Sequence, residues 1–136
     1  MKTNYVDGFV LTVPKKQLAV YKKMATVGKN VWLKHGAIEY KECVIDDVKP
    51  KWVVFTFPKM AKAKAGEVVV FSYITFKSRK HRDQVNANVM KDPLMQPSKK
   101  DEPMPFDMKR IAYGGFTVLV DGVAPVSKSK KATKKR

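Results

Sequence analysis

The chain has 136 residues, with 28 Lys+Arg against 12 Asp+Glu, a net charge of +16, 44% hydrophobic residues and one cysteine. That length suits one domain with its own core and is too short for two, and the apolar fraction excludes a wholly disordered chain despite the charge. Cys43 has no partner for an intrachain disulfide or a cysteine-rich zinc site, and no apolar run approaches the ~18 residues of a membrane span, so a cytoplasmic protein without a metal site is expected.

The N-terminus carries no signal-peptide pattern and turns at once into residues 5–13 (YVDGFVLTV), whose β-branched and aromatic content signals a strand. Pro14 suits the first turn of a helix. From Lys15 the apolar residues Leu18, Tyr21, Met24, Ala25, Val31 and Trp32 recur at helical steps, with Gly28 on the same stripe to allow close approach to a sheet. Lys15, Lys16, Lys22, Lys23, Lys29 and Lys34 take the solvated side, and Gly36 ends the helix. Residues 37–45 read as the second strand. Residues 52–57 (WVVFTF) read as extended, followed by an excursion through Pro58 to Gly66. Residues 67–76 (EVVVFSYITF) give the strongest strand signal. Ser78 caps a second helix through about Lys91, with Val85, Val89 and Met90 inward, and Asp92-Pro93 stops it. Residues 96–109 read as loop and 110–120 (RIAYGGFTVLV) as the last strand. The order strand, helix, strand, strand, helix, strand predicts an α+β class, ferredoxin-like βαββαβ sandwich with an antiparallel sheet and an insertion before its third strand.

Both faces of the strands at 5–13 and 68–76 are apolar, whereas a sheet with one wet face alternates. Two helices cover one face of a four-stranded sheet, so the other face calls for a cover. A second copy packed sheet to sheet supplies it, and a homodimer is expected.

The domain is expected to span residues 1–124, and residues 125–136 to form a disordered lysine-rich tail. Lys128, Lys130, Lys131, Lys134, Lys135 and Arg136 are its six cations, without an anion. Their functional reading is nonspecific attraction of nucleic acid or another polyanion, and the alternative is a solubilising tail with no partner. Removing them leaves 22 Lys+Arg against 12 Asp+Glu, so the body is basic as well. It holds no base-reading motif, which limits any nucleic-acid binding to a salt-sensitive, sequence-blind kind.

YVDGFV (5–10), the Pro14-Lys15 helix start, HGAIEYKEC (35–43), VVVFSYITFKSRKHRDQVN (68–86), MKDPLM (90–95) and MPFDMKRIAYGGF (104–116) together resemble the YbaA-like family of small bacterial proteins of unknown function. The resemblance runs from about residue 4 to residue 122. It implies a dimeric α/β-barrel, in which two ferredoxin-like sheets close on one another, and it carries no activity, cofactor or catalytic residue.

Candidate chemistry rests on polar residues set into apolar strands. Asp7 shares a face with Tyr5 and Phe9, Glu42 alternates with Tyr40 and Val44, Tyr73 interrupts the most apolar strand, and Arg110 and Tyr113 flank the start of the last one. Lining a cavity, Asp7 or Glu42 would have its pKa raised and suit acid–base work. The competing reading is a buried ion pair, such as Asp7 or Asp107 with Arg110. His35 suits a structural role at a helix C-terminus, His81 a surface position, and Cys43 a small buried apolar position. Gly114-Gly115 lack the strand-then-helix context of a phosphate loop, and no cofactor is expected. Two functions follow: a small-molecule-binding protein or cofactor-independent enzyme with a cavity between sheet and helices, or a polyanion-binding protein acting through its tail.

Overall fold

A computed structural model describes residues 2–96 and 104–126. β1 (Tyr5–Pro14) leads through a 3-10 turn at Lys15–Gln17 into α1 (Leu18–Lys34), and β2 (Glu39–Val44) follows. A short α2 (Phe57–Ala61) lies in the insertion, and β3 (Glu67–Phe76), α3 (Arg79–Lys91) and β4 (Ala112–Thr117) complete the fold. The strands form one antiparallel sheet in the order β2-β3-β1-β4. This is the ferredoxin-like α+β topology expected from the sequence.

Local chemistry sets the helix ends. Gly36 takes φ +112°, which a side chain disfavours, and lets the chain leave α1 for β2. The Ser78 hydroxyl accepts from the His81 N–H at 3.0 Å to start α3. At its far end the buried Asp92 carboxylate accepts from the Leu94 N–H at 2.9 Å, from His35 at 2.8 Å and from Lys34 at 3.1 Å. That carboxylate ties the last turn of α1 to the end of α3, and these bonds hold its pKa down to about 2, the Leu94 N–H contributing most.

On the helix-covered face stand Tyr5, Asp7, Phe9, Leu11 and Val13 of β1 and Val70, Ser72, Ile74 and Phe76 of β3. The core here is in two parts. Tyr5, Val31, Ala37, Ile74, Phe76, Val85 and Val89 form one; Leu11, Val13, Tyr21 and Val70 form the other. The opposite face presents Val6, Gly8 and Val10 of β1, Phe71 and Tyr73 of β3, and Ala112, Gly114 and Phe116 of β4. At one end of this face Thr12 and Val69 are buried, and α2 of the insertion lies beside Val10 and Ala112; over the rest of it Phe71 and Phe116 are 44% and 59% exposed.

Four expectations need correction. Residues 52–57 form no strand: β1 and β2 already occupy both edges of β3, and Thr56 with Pro58 starts α2 instead. Trp52 and Val54 are left 91% and 83% exposed. Met90 points outward, because one residue's rotation carries it off the side on which Val89 is buried. The last strand is shorter than residues 110–120, since Asp107 caps a 3-10 turn at Met108–Arg110. Cys43 is exposed, not buried, because it pairs with Phe71 on the uncovered face of the edge strand β2.

Candidate functional site

The residues singled out from the sequence fall at separate places. Asp7 and Tyr113 come together beneath α3, Glu42 lies in a pocket beneath α1, Tyr73 stands on the uncovered face, and Arg110 precedes β4. The tail residues Lys128, Lys130, Lys131, Lys134, Lys135 and Arg136 lie outside the described residues.

Asp7 is 1% exposed. Its Oδ1 accepts from Arg82 Nη1 at 2.9 Å and from the Tyr113 hydroxyl at 3.1 Å. Arg82 also meets the Tyr113 hydroxyl, donates to Asp83 at 2.9 Å and lies over the Tyr5 ring at 5.1 Å from its centroid. Burial pushes the Asp7 carboxyl up from its usual range, against the opposing pull of the Arg82 charge and the hydrogen bonds of Tyr113 and Asn86. Asn86 in turn accepts from Trp32 Nε1 at 3.0 Å. The pair expected between an aspartate and Arg110 is therefore formed by Arg82. Arg110 instead grips both oxygens of Glu67, at 2.8 and 2.9 Å, and the Lys62 carbonyl at 2.8 Å. That fork, foremost among several bonds, lowers the Glu67 pKa to about 2. Both arrangements are packed ion pairs.

The Tyr-Gly-Gly-Phe run of β4 is explained by its surroundings. Gly115 faces Asp7 across the β1–β4 ladder, and a Cβ there would lie 3.0 Å from Tyr5 Cζ. On the other face Gly8 pairs with Gly114, and the Phe116 ring lies across both. Each bare backbone position makes room for an aromatic ring.

Glu42 is different. It opens onto a pocket of about 540 Å³ between α1 and the β2–β3 edge, walled by Leu18, Ala25, Val44 and Val70. The pocket lies at the seam between the two core clusters, with Tyr21 from one and Tyr40 packed on the other. The Tyr21 hydroxyl donates to Glu42 Oε1 at 2.6 Å and the Tyr40 hydroxyl to Oε2 at 2.8 Å. Burial, with the Glu42 charge beside them, raises both phenol pKa values, so both remain proton donors. Gly28 permits this approach: a Cβ there would lie 3.0 Å from the Tyr40 hydroxyl oxygen. Lys22 and Lys29 of α1 also line it.

Arg82, Tyr21 and Tyr40 carry these arrangements but were not among the expected site residues. Arg82 was legible: it precedes Val85 and Val89 by three and seven residues, on the stripe that faces the sheet. The composition of KSRKHR hid it as surface charge. His81, expected at the surface, is half-buried and stacks edge-on against Phe76 at 5.9 Å. Burial lowers its pKa, as does the neighbouring Lys77 charge. His35 caps the α1 C-terminus, as its position in the sequence suggested. Among the described residues no group of three or more His, Cys, Asp or Glu converges to hold a metal ion, and no helix is long and apolar enough to cross a membrane.

Among solved structures, a dimeric ferredoxin-like protein from an uncultured marine organism superposes with a TM-score of 0.53 over 90% of this chain and all of that one, at 10% identity. At that identity the likeness speaks for the fold alone. In sequence, the chain is 41% identical over 117 residues to the uncharacterized protein YbaA of Escherichia coli K12, covering 86% of this chain and 97% of the relative. The YbaA of Shigella flexneri matches to the same extent. The model of a family described as protein of unknown function (DUF1428) matches residues 4–108. With that span, the chain belongs to the DUF1428 family.

Proposed function

We propose that the protein is a homodimer that binds a small molecule in the pocket between α1 and the β2–β3 edge of each copy. The observation that carries this reading is Glu42: an acid held by two tyrosine hydroxyls in a pocket of about 540 Å³ with largely apolar walls. A concave, mostly apolar site with a few convergent polar groups is how proteins bind small ligands. Asp7 and Arg110 offer no such site, since each is spent on a packed ion pair.

The dimer is supported by the uncovered sheet face, where Phe71 and Phe116 are exposed beside Val6 and Val10. The ferredoxin-like protein of known structure is itself described as dimeric. Pairing two such faces about a two-fold axis would remove both from water.

A thermal-shift screen of the full-length chain against a chemically mixed set of small molecules tests the pocket, because a ligand of the folded state raises Tm by mass action. Ala25→Trp, which fills the pocket from α1, should abolish the shifts. Hits that persist unchanged in Ala25→Trp would place binding elsewhere and remove this reading.

A further inference from the structure

We propose that the pocket takes an organic ammonium: a protonated amine seated on Glu42, carried by an apolar body that lies against Leu18, Ala25, Val44 and Val70. This rests on the binding reading above and adds the chemical class of the ligand.

The first observation is a comparison within the chain. Among the described residues, every other carboxylate withdrawn from solvent has a cation. Asp7 has Arg82 at 2.9 Å, Glu67 has Arg110 at 2.8 Å, Asp92 has Lys34 at 3.1 Å, and the partly covered Glu39 has Lys41 at 3.0 Å. Glu42 alone among them has only two neutral phenols. A carboxylate offers about four lone-pair sites, and the phenols use one on each oxygen. A recessed charge without a counter-charge is costly, and a cation is the partner that offsets it.

The second observation is what surrounds the carboxylate. Tyr21 and Tyr40 line the pocket as well as donating to Glu42, so an ammonium there meets the open lone pairs of a carboxylate whose two oxygens are already held in place. The apolar walls then select for a hydrocarbon body on the amine. Lys22 and Lys29 also line the pocket, yet neither forms an ion pair with Glu42.

Calorimetry and thermal shift on the full-length protein, with 2-phenylethylamine, 2-phenylethanol and 3-phenylpropionate as probes that share a phenylethyl body and differ in charge, test the proposal. The amine should bind at least about tenfold more tightly than the alcohol, the difference expected for a charge-assisted hydrogen bond. Glu42→Gln should reduce amine binding about tenfold or more while leaving the alcohol little changed. Tyr40→Phe, which keeps the carboxylate, is a second variant should Glu42→Gln fold poorly; it should retain the preference for amine. Lys22→Met with Lys29→Met should tighten amine binding by removing nearby positive charge. Alcohol or acid binding as tightly as the amine, or amine affinity indifferent to Glu42→Gln, overturns the ammonium assignment and leaves the pocket standing. Absence of binding by all three probes, together with an empty mixed screen, overturns the pocket and the assignment together.

Discussion

Two recessed acids of similar sequence context end in opposite circumstances, and the difference lies in their neighbours. Asp7 meets an arginine and a tyrosine hydroxyl; Glu42 meets two tyrosine hydroxyls and a space. For Asp7 the consequence is an asymmetry between its two partners. Arg82→Met leaves a buried carboxylate without its cation and should cost about 3 kcal/mol at neutral pH. Asp7→Asn leaves Arg82 its bond to the exposed Asp83 and should cost less. The Arg82→Met loss should also shrink on acidification. A carboxyl whose pKa is raised by folding contributes stability below its unfolded value and loses it as pH rises through the folded one. Denaturant titrations of both variants at neutral and mildly acid pH check the order and the trend; equal losses at every pH would contradict it. Elsewhere, the Thr12 and Thr75 hydroxyls are buried with no hydrogen-bond partner among the described residues. Thr12→Val should therefore raise stability by about 1 kcal/mol, since an unsatisfied buried hydroxyl carries a desolvation penalty. A lower midpoint in urea than the parent's would show that the hydroxyl is satisfied.

Elements are held to one another by carboxylates placed at their ends. Asp92 joins α1 to α3, and Glu67 joins the end of the insertion, at Lys62 and Lys64, to the approach to β4 through Arg110. Both acids have pKa values of about 2 in the folded chain, against about 4 in an unfolded one. Depressed values mean that their contribution is complete above about pH 4 and disappears as pH falls toward 2. Stability should decline over that interval, and Glu67→Gln should flatten the decline while lowering stability at pH 7. Chemical denaturation at a series of pH values measures the slope; an unchanged slope in the variant would remove Glu67 from the account.

At this scale the sequence was most legible. β-branched and aromatic runs marked the strands, helical spacing marked α1 and α3, and Ser78, Asp92 and Gly36 marked ends. Residues 52–57 misled, because β-branched and aromatic content reports that a segment can pair and says nothing of whether an edge is free. Glu42 was legible as an oddity in a strand, but its two phenol donors come from α1 and from its own strand. Only the crossing of helix and sheet at Gly28 brings them onto it. For the same reason the sequence offered Asp7, Glu42, Tyr73, Arg110 and Tyr113 as candidates side by side. The register separates them: Tyr73 pairs with Gly8 on the uncovered face, and Ile74 stands between Tyr40 and Asp7 on the covered one.

For the whole molecule, the two sheet faces carry different duties. The pocket belongs to the helix-covered face and the proposed contact between copies to the other. Phe71, 44% exposed on that second face, is the position to probe. Phe71→Lys would bury a charge in that contact and should turn a dimer into a monomer with the chain's own core unaltered. Sedimentation across a range of concentrations checks this, and a parent chain already monomeric at high concentration would dispose of the dimer.

The strand order has a further consequence, for how the chain comes to be folded. β1 precedes β2 in the chain, yet its neighbours in the sheet are β3 and β4. Neither native neighbour exists until β3 has been made, and its β4 edge stays open until residues near the end of the domain are out. Asp7, at the middle of that strand, waits for α3 to bring Arg82 and for β4 to bring Tyr113. Non-local pairing of this kind slows folding. A nascent chain of this protein therefore presents an apolar strand with two free edges until β3 has emerged, and with one free edge until β4 follows it.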